Sequence, residues 1–179
     1  MRTYKPSKRY SWLLVIAGIF GLAASASLTI EKIFLLEDPN YQLSCSLNEI
    51  FACGSIVTTD QASAFGFANS VIGVAAFPVL ITLGSISVMG IVLPRFVLGG
   101  LTVGLIFAQL FVLWLVYQSL YVIGALCPWC MVVWAAVVPL TFYLVAEWQE
   151  TQTRKQIAHL ATLGWFLIVI ALIVARFYI

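Results

Sequence analysis

From Ser11 to Ile30 the chain carries no charged side chain, and an α-helical membrane span needs about 20 predominantly apolar residues. Residues 71–93, 96–120 and 126–146 are likewise uncharged, and the apolar run 160–179 holds a single charge, Arg176, near its end. The spacing predicts five transmembrane helices in a single membrane domain over residues 1–179, with a long loop over 31–70. Composition agrees. With 63% hydrophobic and 9% charged residues, the chain lacks the roughly 25% charge that coats a soluble domain. A soluble enzyme, a disordered chain and a nucleic-acid binder are excluded on that ground. The stretch Ala23-Ala24-Ser25-Ala26-Ser27 has the small residues of a signal-peptide cleavage site. The apolar run before it is longer than a usual signal core, so a retained span is expected.

The charges set the orientation. Arg2, Lys5, Lys8 and Arg9 precede the first span, Arg95 lies between the second and third, and Arg154 and Lys155 lie between the fourth and fifth. The opposite side holds only Lys32 and Arg176, with Glu31, Glu37, Asp38, Glu49 and Asp60 in the loop. By the positive-inside rule the N-terminus is cytoplasmic. Loop 31–70 then faces out of the cell membrane, as does the short connection before Cys127. A loop of this length in a compact protein is functional or disordered, and its regularly placed apolar residues argue for order. A helical stretch is expected near Leu47 to Ala52, and Phe65, Phe67 and Val71 can fold the loop back onto the bundle. No inverted repeat is evident, and no Asp or Glu falls within the five spans, which argues against a proton or ion transporter.

All four cysteines, Cys45, Cys53, Cys127 and Cys130, fall on the outward side, where disulfides form and persist. In Cys127-Pro128-Trp129-Cys130 the sulfurs at i and i+3 share a helix face. Pro128 suits the first helical turn, so Cys127 sits near the N-cap, where free N–H groups and the dipole favour a thiolate. Cys130 lies one turn deeper, about 4.5 Å along the axis. One sulfur thus faces the aqueous loop and the other a lipid-phase partner. Cys45 and Cys53 sit in the loop, which can exchange disulfides with an external protein and with the helix pair. A zinc site is disfavoured: the spacing is not that of a finger, and the only histidine, His159, falls on the other side. A purely structural pair at Cys127 and Cys130 would close too short a loop to stabilise much. The four thiols allow three connectivities.

These residues resemble the vitamin K epoxide reductase family, over roughly Ser11 to Ala146. The marks are Cys45, Cys53, Thr59, Phe67-Ala68-Asn69-Ser70 entering the second span, and Cys127-Pro128-Trp129-Cys130. The resemblance implies a four-helix bundle around a quinone pocket, here with a fifth helix, as in the stand-alone bacterial branch whose thioredoxin-like partner is a separate protein. It implies that Cys130 faces the quinone, that Cys127 exchanges with Cys53, and that Cys45 takes the attack of the partner thiol. Thr59 matches a hydrogen-bonding Ser/Thr position near the active disulfide, and Asn69 matches an amide that contacts a quinone oxygen. Vertebrate members place a quinone-contacting tyrosine four residues after the last cysteine, and this chain has Trp134 there. Its indole N–H donates but cannot accept.

The expected activity is that of an inner-membrane thiol–quinone oxidoreductase. It would reoxidise an extracytoplasmic thioredoxin-like protein, pass electrons to menaquinone, ubiquinone or a vitamin K type quinone, and support disulfide formation, with no metal. A vitamin K quinone or epoxide reductase is the nearest alternative. A bacterial disulfide-bond oxidase with its CxxC in the first outward loop does not match. A transport or scaffold subunit stapled by structural disulfides is the alternative from another class. Bland roles compete at the accessory positions. Asn69 or Ser70 can cap the second span, and Thr59 can satisfy a turn. Trp129 and Tyr121 suit an interfacial aromatic belt. Phe107, Phe111 and Trp114 suit bundle packing, and Gln109 and Gln118 suit interhelical hydrogen bonds. His159 marks the cytoplasmic end of the fifth span.

Overall fold

The structure, a computed structural model, describes residues 3–147 and 152–178. Arg2, the middle of the polar break after Glu147, and Ile179 lie outside the described residues. A two-residue strand β1 (Thr3–Tyr4) precedes the long helix α1 (Lys8–Glu37). The loop carries a short α2 (Cys53–Val57) and a 3₁₀ turn (Asp60–Ser63), and leads into α3 (Asn69–Val88). Strand β2 (Leu93–Pro94) pairs antiparallel with β1. Helix α4 (Arg95–Tyr117) continues as a π-helical turn (Gln118–Ile123), followed by α5 (Pro128–Glu147) and α6 (Gln152–Phe177). Five of these helices are long and apolar enough to cross a membrane, and side chains such as Phe20, Val103, Leu110 and Leu167 are exposed on their outer faces. The protein is an all-α, multi-pass membrane protein.

Helix ends differ from the hydropathy ends in two ways. The second span, expected over 71–93, stops at Val88, where Gly90 at φ +88° turns the chain towards β2. Elsewhere, good helix formers continue a helix beyond its apolar run. Glu31 and Lys32 extend α1 to Glu37 instead of ending it at Ile30, and Arg154, Lys155 and His159 belong to α6. Glu31 and Glu147 are consequently buried acids at helix ends, which corrects the expectation that no Asp or Glu falls within the spans. Residues 47–52 form no helix. Asn48 accepts from the N–H groups of Ile50 and Phe51 through its side chain (3.0 and 2.7 Å), the local bonding by which asparagine competes with helix. The helix starts only at Cys53.

Helix α1 packs closely on α3 and also on α5, and α6 lies against α5. The α1–α3 contact depends on small residues, as is usual where lipid supplies no hydrophobic drive. A Cβ on Gly84 would lie 2.9 Å from the Ser11 carbonyl oxygen and 2.8 Å from Val15 Cγ2. Helix α4 leans on α5 instead. A cavity of about 590 Å³ is left among α1, α3, α4 and α5. Contacts at the two ends of the bundle give the protein its polarity. Ser7 donates to Glu147 (2.9 Å from its N–H), and Tyr143 meets His159 (2.9 Å). At the other end lie the cysteines, Lys32, and Arg176, whose Nε donates to the Leu120 carbonyl (3.0 Å).

Candidate functional site

Two apolar clusters stack along the bundle. The larger holds the helix core, including Leu14, Leu98, Leu140 and Leu144. The smaller encloses three of the four sulfurs, gathering Leu28, Leu43, Cys45, Cys53, Ile56, Val57, Ala125 and Cys127, with Trp129 and Cys130 packed against it. The loop is thus an ordered cap.

A backbone clamp joins this cap to the start of α5. Leu126 donates its N–H to the Ile50 carbonyl (2.7 Å), and Ala52 donates to the Leu126 carbonyl (3.0 Å), so that Phe51 and Leu126 form a parallel bridge. The next residues along are Cys53 and Cys127, and their sulfurs lie 3.2 Å apart. Gly124, at φ +72°, lets the chain reverse after the π turn into this clamp. On the other side, Lys32 donates to the Val57 carbonyl (2.5 Å) and holds α2 against α1.

Of the three possible connectivities the structure shows Cys45 bonded to Cys53, with Cα atoms 5.6 Å apart and within ordinary disulfide reach. Cys127 and Cys130 are free thiols. The sulfurs of Cys45, Cys53 and Cys127 fall within 4.8 Å of one another, but two of them are bonded together. Cys127 directly precedes α5, with Pro128 in the first turn, and its sulfur accepts from the Cys130 N–H at 3.4 Å. The Cys127 thiol is held below its ordinary pKa, chiefly by the hydrogen bond from the Cys130 side chain. The Cys130 and Trp129 N–H groups add to this, while burial and the charge of Glu31 oppose it.

Cys130 faces inward to the large cavity, whose wall also includes Asn69, Phe77, Gly104, Phe111 and Trp134. A narrower recess of about 70 Å³ adjoins it and shares Asn69, Ser70, Cys130 and Trp134. Trp134 lines both spaces, and its Nε1–H is buried without a hydrogen-bond partner. Asn69 is the first residue of α3 but not its cap, which is Ala68. Its amide donates to the Gln61 carbonyl (2.6 Å) and accepts from the Ala64 N–H (3.1 Å), closing the recess.

Thr59 donates to the Ile56 carbonyl (2.7 Å) and caps the 3₁₀ turn through the Ala62 N–H (3.3 Å). It lines neither cavity. Phe107 and Phe111 line the cavity, stack with each other and meet Phe65 at tilted angles, so bundle packing alone does not describe them. Gln118 lines the recess, and Gln109 is buried with its Oε1 unpartnered.

Sequence reasoning missed Glu31. It sits within α1, 6% exposed, with Oε2 at 3.2 Å from the Cys45 sulfur. Its other oxygen accepts from the Ser44 N–H (3.3 Å) and hydroxyl. A carboxylate directly after a 20-residue apolar run was the available signal.

Residues 12–145, well over half of the chain, match the model of the vitamin K epoxide reductase family. The chain belongs to that family. No individual curated protein matches it. Membership in the vitamin K epoxide reductase family makes the protein a membrane redox enzyme of that type, an oxidoreductase.

Proposed function

We propose that the protein oxidises an extracytoplasmic thioredoxin-like protein and passes the electrons through two cysteine pairs to a membrane quinone, so supporting disulfide formation. The observation that carries this is the line of sulfurs: the Cys45–Cys53 disulfide, the 3.2 Å gap from Cys53 to Cys127, and Cys130 one turn further on, against the cavity. Proteins of this family use quinones and generally work with thioredoxin-like partners. The residues present suit a quinone. The cavity is apolar and of ligand size, and its lining includes Cys130 and Trp134, whose indole N–H has no partner. When bound, the quinone supplies the two-electron acceptor.

The chain's own steps are thiol–disulfide exchanges. A partner thiol attacks Cys45, the residue of its pair that keeps some exposure, at 6% against none for Cys53, and Cys53 leaves. Cys53 then attacks Cys127 of a Cys127–Cys130 disulfide and releases Cys130 as a thiolate against the cavity. The partner's second thiol attacks its own sulfur in the mixed disulfide, so the partner leaves oxidised and Cys45 is released. Attack of Cys45 on Cys53 then frees Cys127, which the Cys130 hydrogen bond stabilises as a leaving group. The dithiol Cys127/Cys130 then gives up two electrons and closes again. Trp134 and Asn69 would orient the quinone, and Thr59 shapes the turn between α2 and α3. The cysteines face the extracytoplasmic side of the inner membrane in this scheme, where the partner resides.

The test is anaerobic turnover in detergent, with a reduced thioredoxin-like protein as donor and ubiquinone or menaquinone analogues as acceptors. Wild type should reduce quinone and Cys130→Ala should not. Cys45→Ala should fail with the protein donor and stop with Cys53 joined to Cys127. Wild type that turns over no quinone with any thiol, while the variants only melt earlier, would make the cysteines staples.

A further inference from the structure

Glu31 has no part in the relay of exchanges, yet its carboxylate meets a sulfur of that relay. Only Oε1 is engaged by Ser44, and Oε2 is aimed at Cys45 Sγ. In the disulfide that sulfur has no hydrogen to donate. The contact becomes a hydrogen bond only when Cys45 is a thiol, which is the state in which it must attack Cys53. The other titratable groups packed on the same cluster as Cys45 are Cys127, Tyr41 and Cys130. On α1 lie Lys32, whose ammonium is turned to the Val57 carbonyl, and Glu37 at the exposed helix end, followed by Asp38.

We propose that Glu31 is the general base of the relay, taking the Cys45 proton as that sulfur resolves the Cys53–Cys127 disulfide. The step balances as an exchange with no net redox change. The Cys45 S–H bond breaks, its proton passes to Glu31 Oε2, the Cys45–Cys53 bond forms, and Cys127 leaves as a thiolate beside Cys130. The same carboxyl returns the proton when the step runs backwards. This proposal rests on the relay reading above.

An ordinary thiol, with a pKa of about 8.5, is about 3% ionised at pH 7, so a local base can speed this attack by about 30-fold there. The gain should vanish near pH 9. The experiment is a single turnover of the fully reduced, full-length protein with a short-chain benzoquinone, quenched in acid, alkylated and mapped by mass for disulfides. In Glu31→Gln, which keeps an oxygen for Ser44, the Cys53–Cys127 species should accumulate and resolve 10- to 30-fold slower than wild type at pH 7, by the same ionisation arithmetic. At pH 9 it should resolve at the wild-type rate.

Glu31→Asp, which keeps a carboxylate, should lie between the two at pH 7, and it carries the same two-pH comparison if the Gln variant does not fold. A purely structural role gives the opposite pattern, either no slowing or an equal slowing at both pH values, and either result overturns the proposal. If neither wild type nor Cys45→Ala ever forms Cys53–Cys127, the relay itself fails and the base with it. If that species forms but resolves normally in Glu31→Gln, only the base is lost.

Discussion

The N–H of Leu126 donates to the carbonyl of Ile50 at 2.7 Å, and through that bond a loop and a helix end hold two sulfurs in contact. The reciprocal bond comes from Ala52. Ala52→Pro deletes this donor and imposes a φ near −65° on a residue that sits at −131°. Exchange between Cys53 and Cys127 should fall about a hundredfold, as expected for a displacement of about 1 Å between reacting atoms. Mass mapping of the cross-pair disulfide in a Cys45→Ala background measures it. An unchanged yield would mean that apolar packing alone seats the cap.

The lowered Cys127 pKa depends first on the Cys130 side chain. Cys130→Ala removes that hydrogen bond, so the Cys127 thiol should titrate at higher pH than in wild type. Thiolate absorbance near 240 nm, followed against pH with Cys45–Cys53 oxidised, shows the direction. A downward shift, or none, would mean that the backbone N–H groups dominate instead.

Trp134 lines the cavity, and its buried Nε1–H has no partner of its own. Trp134→Phe keeps an aromatic wall and deletes the N–H. A neutral hydrogen bond contributes about 0.5–1.5 kcal/mol, so the KM for quinone should rise about 2- to 13-fold, while exchange between the cysteine pairs stays unchanged. Steady-state kinetics beside disulfide mapping separates the two.

Two glycines should respond in opposite ways. At Gly104, on the cavity wall, an added Cβ meets nothing within 4 Å. Gly104→Leu should fold at least as well as wild type, gaining up to about 1 kcal/mol of helix propensity, and lose quinone affinity by filling the space. At Gly84 the added carbon meets the Ser11 carbonyl, and Gly84→Ala should cost about 1–3 kcal/mol by overpacking. Melting in detergent and quinone KM, measured on both, distinguish a binding cavity from an idle gap.

Much of the fold is legible in the chain because lipid imposes a simple rule: apolar runs of span length become helices whatever their neighbours. Five spans, the long loop and Pro128 at the start of α5 follow from that rule and from local propensity. Hydropathy locates the hydrocarbon but not the last helical turns, so by hydropathy Glu31 falls in the loop, whereas α1 carries it inward. Asn48 likewise turns the 47–52 segment by a side-chain bond that apolar periodicity does not register. Phe107 and Phe111 have helical spacing, which places them on one face without saying whether that face meets protein or cavity.

The sequence by itself determined the membrane class, the five helices and the placing of all four cysteines at one end, because composition and charge distribution act along the chain. Only the tertiary structure decided which thiols pair, that Cys53 rests on Cys127, that Glu31 reaches Cys45, and that Trp134 opens onto a cavity. Those relations join residues up to 74 positions apart. They arise from how a loop folds over a bundle, and no local pattern records the distance across it.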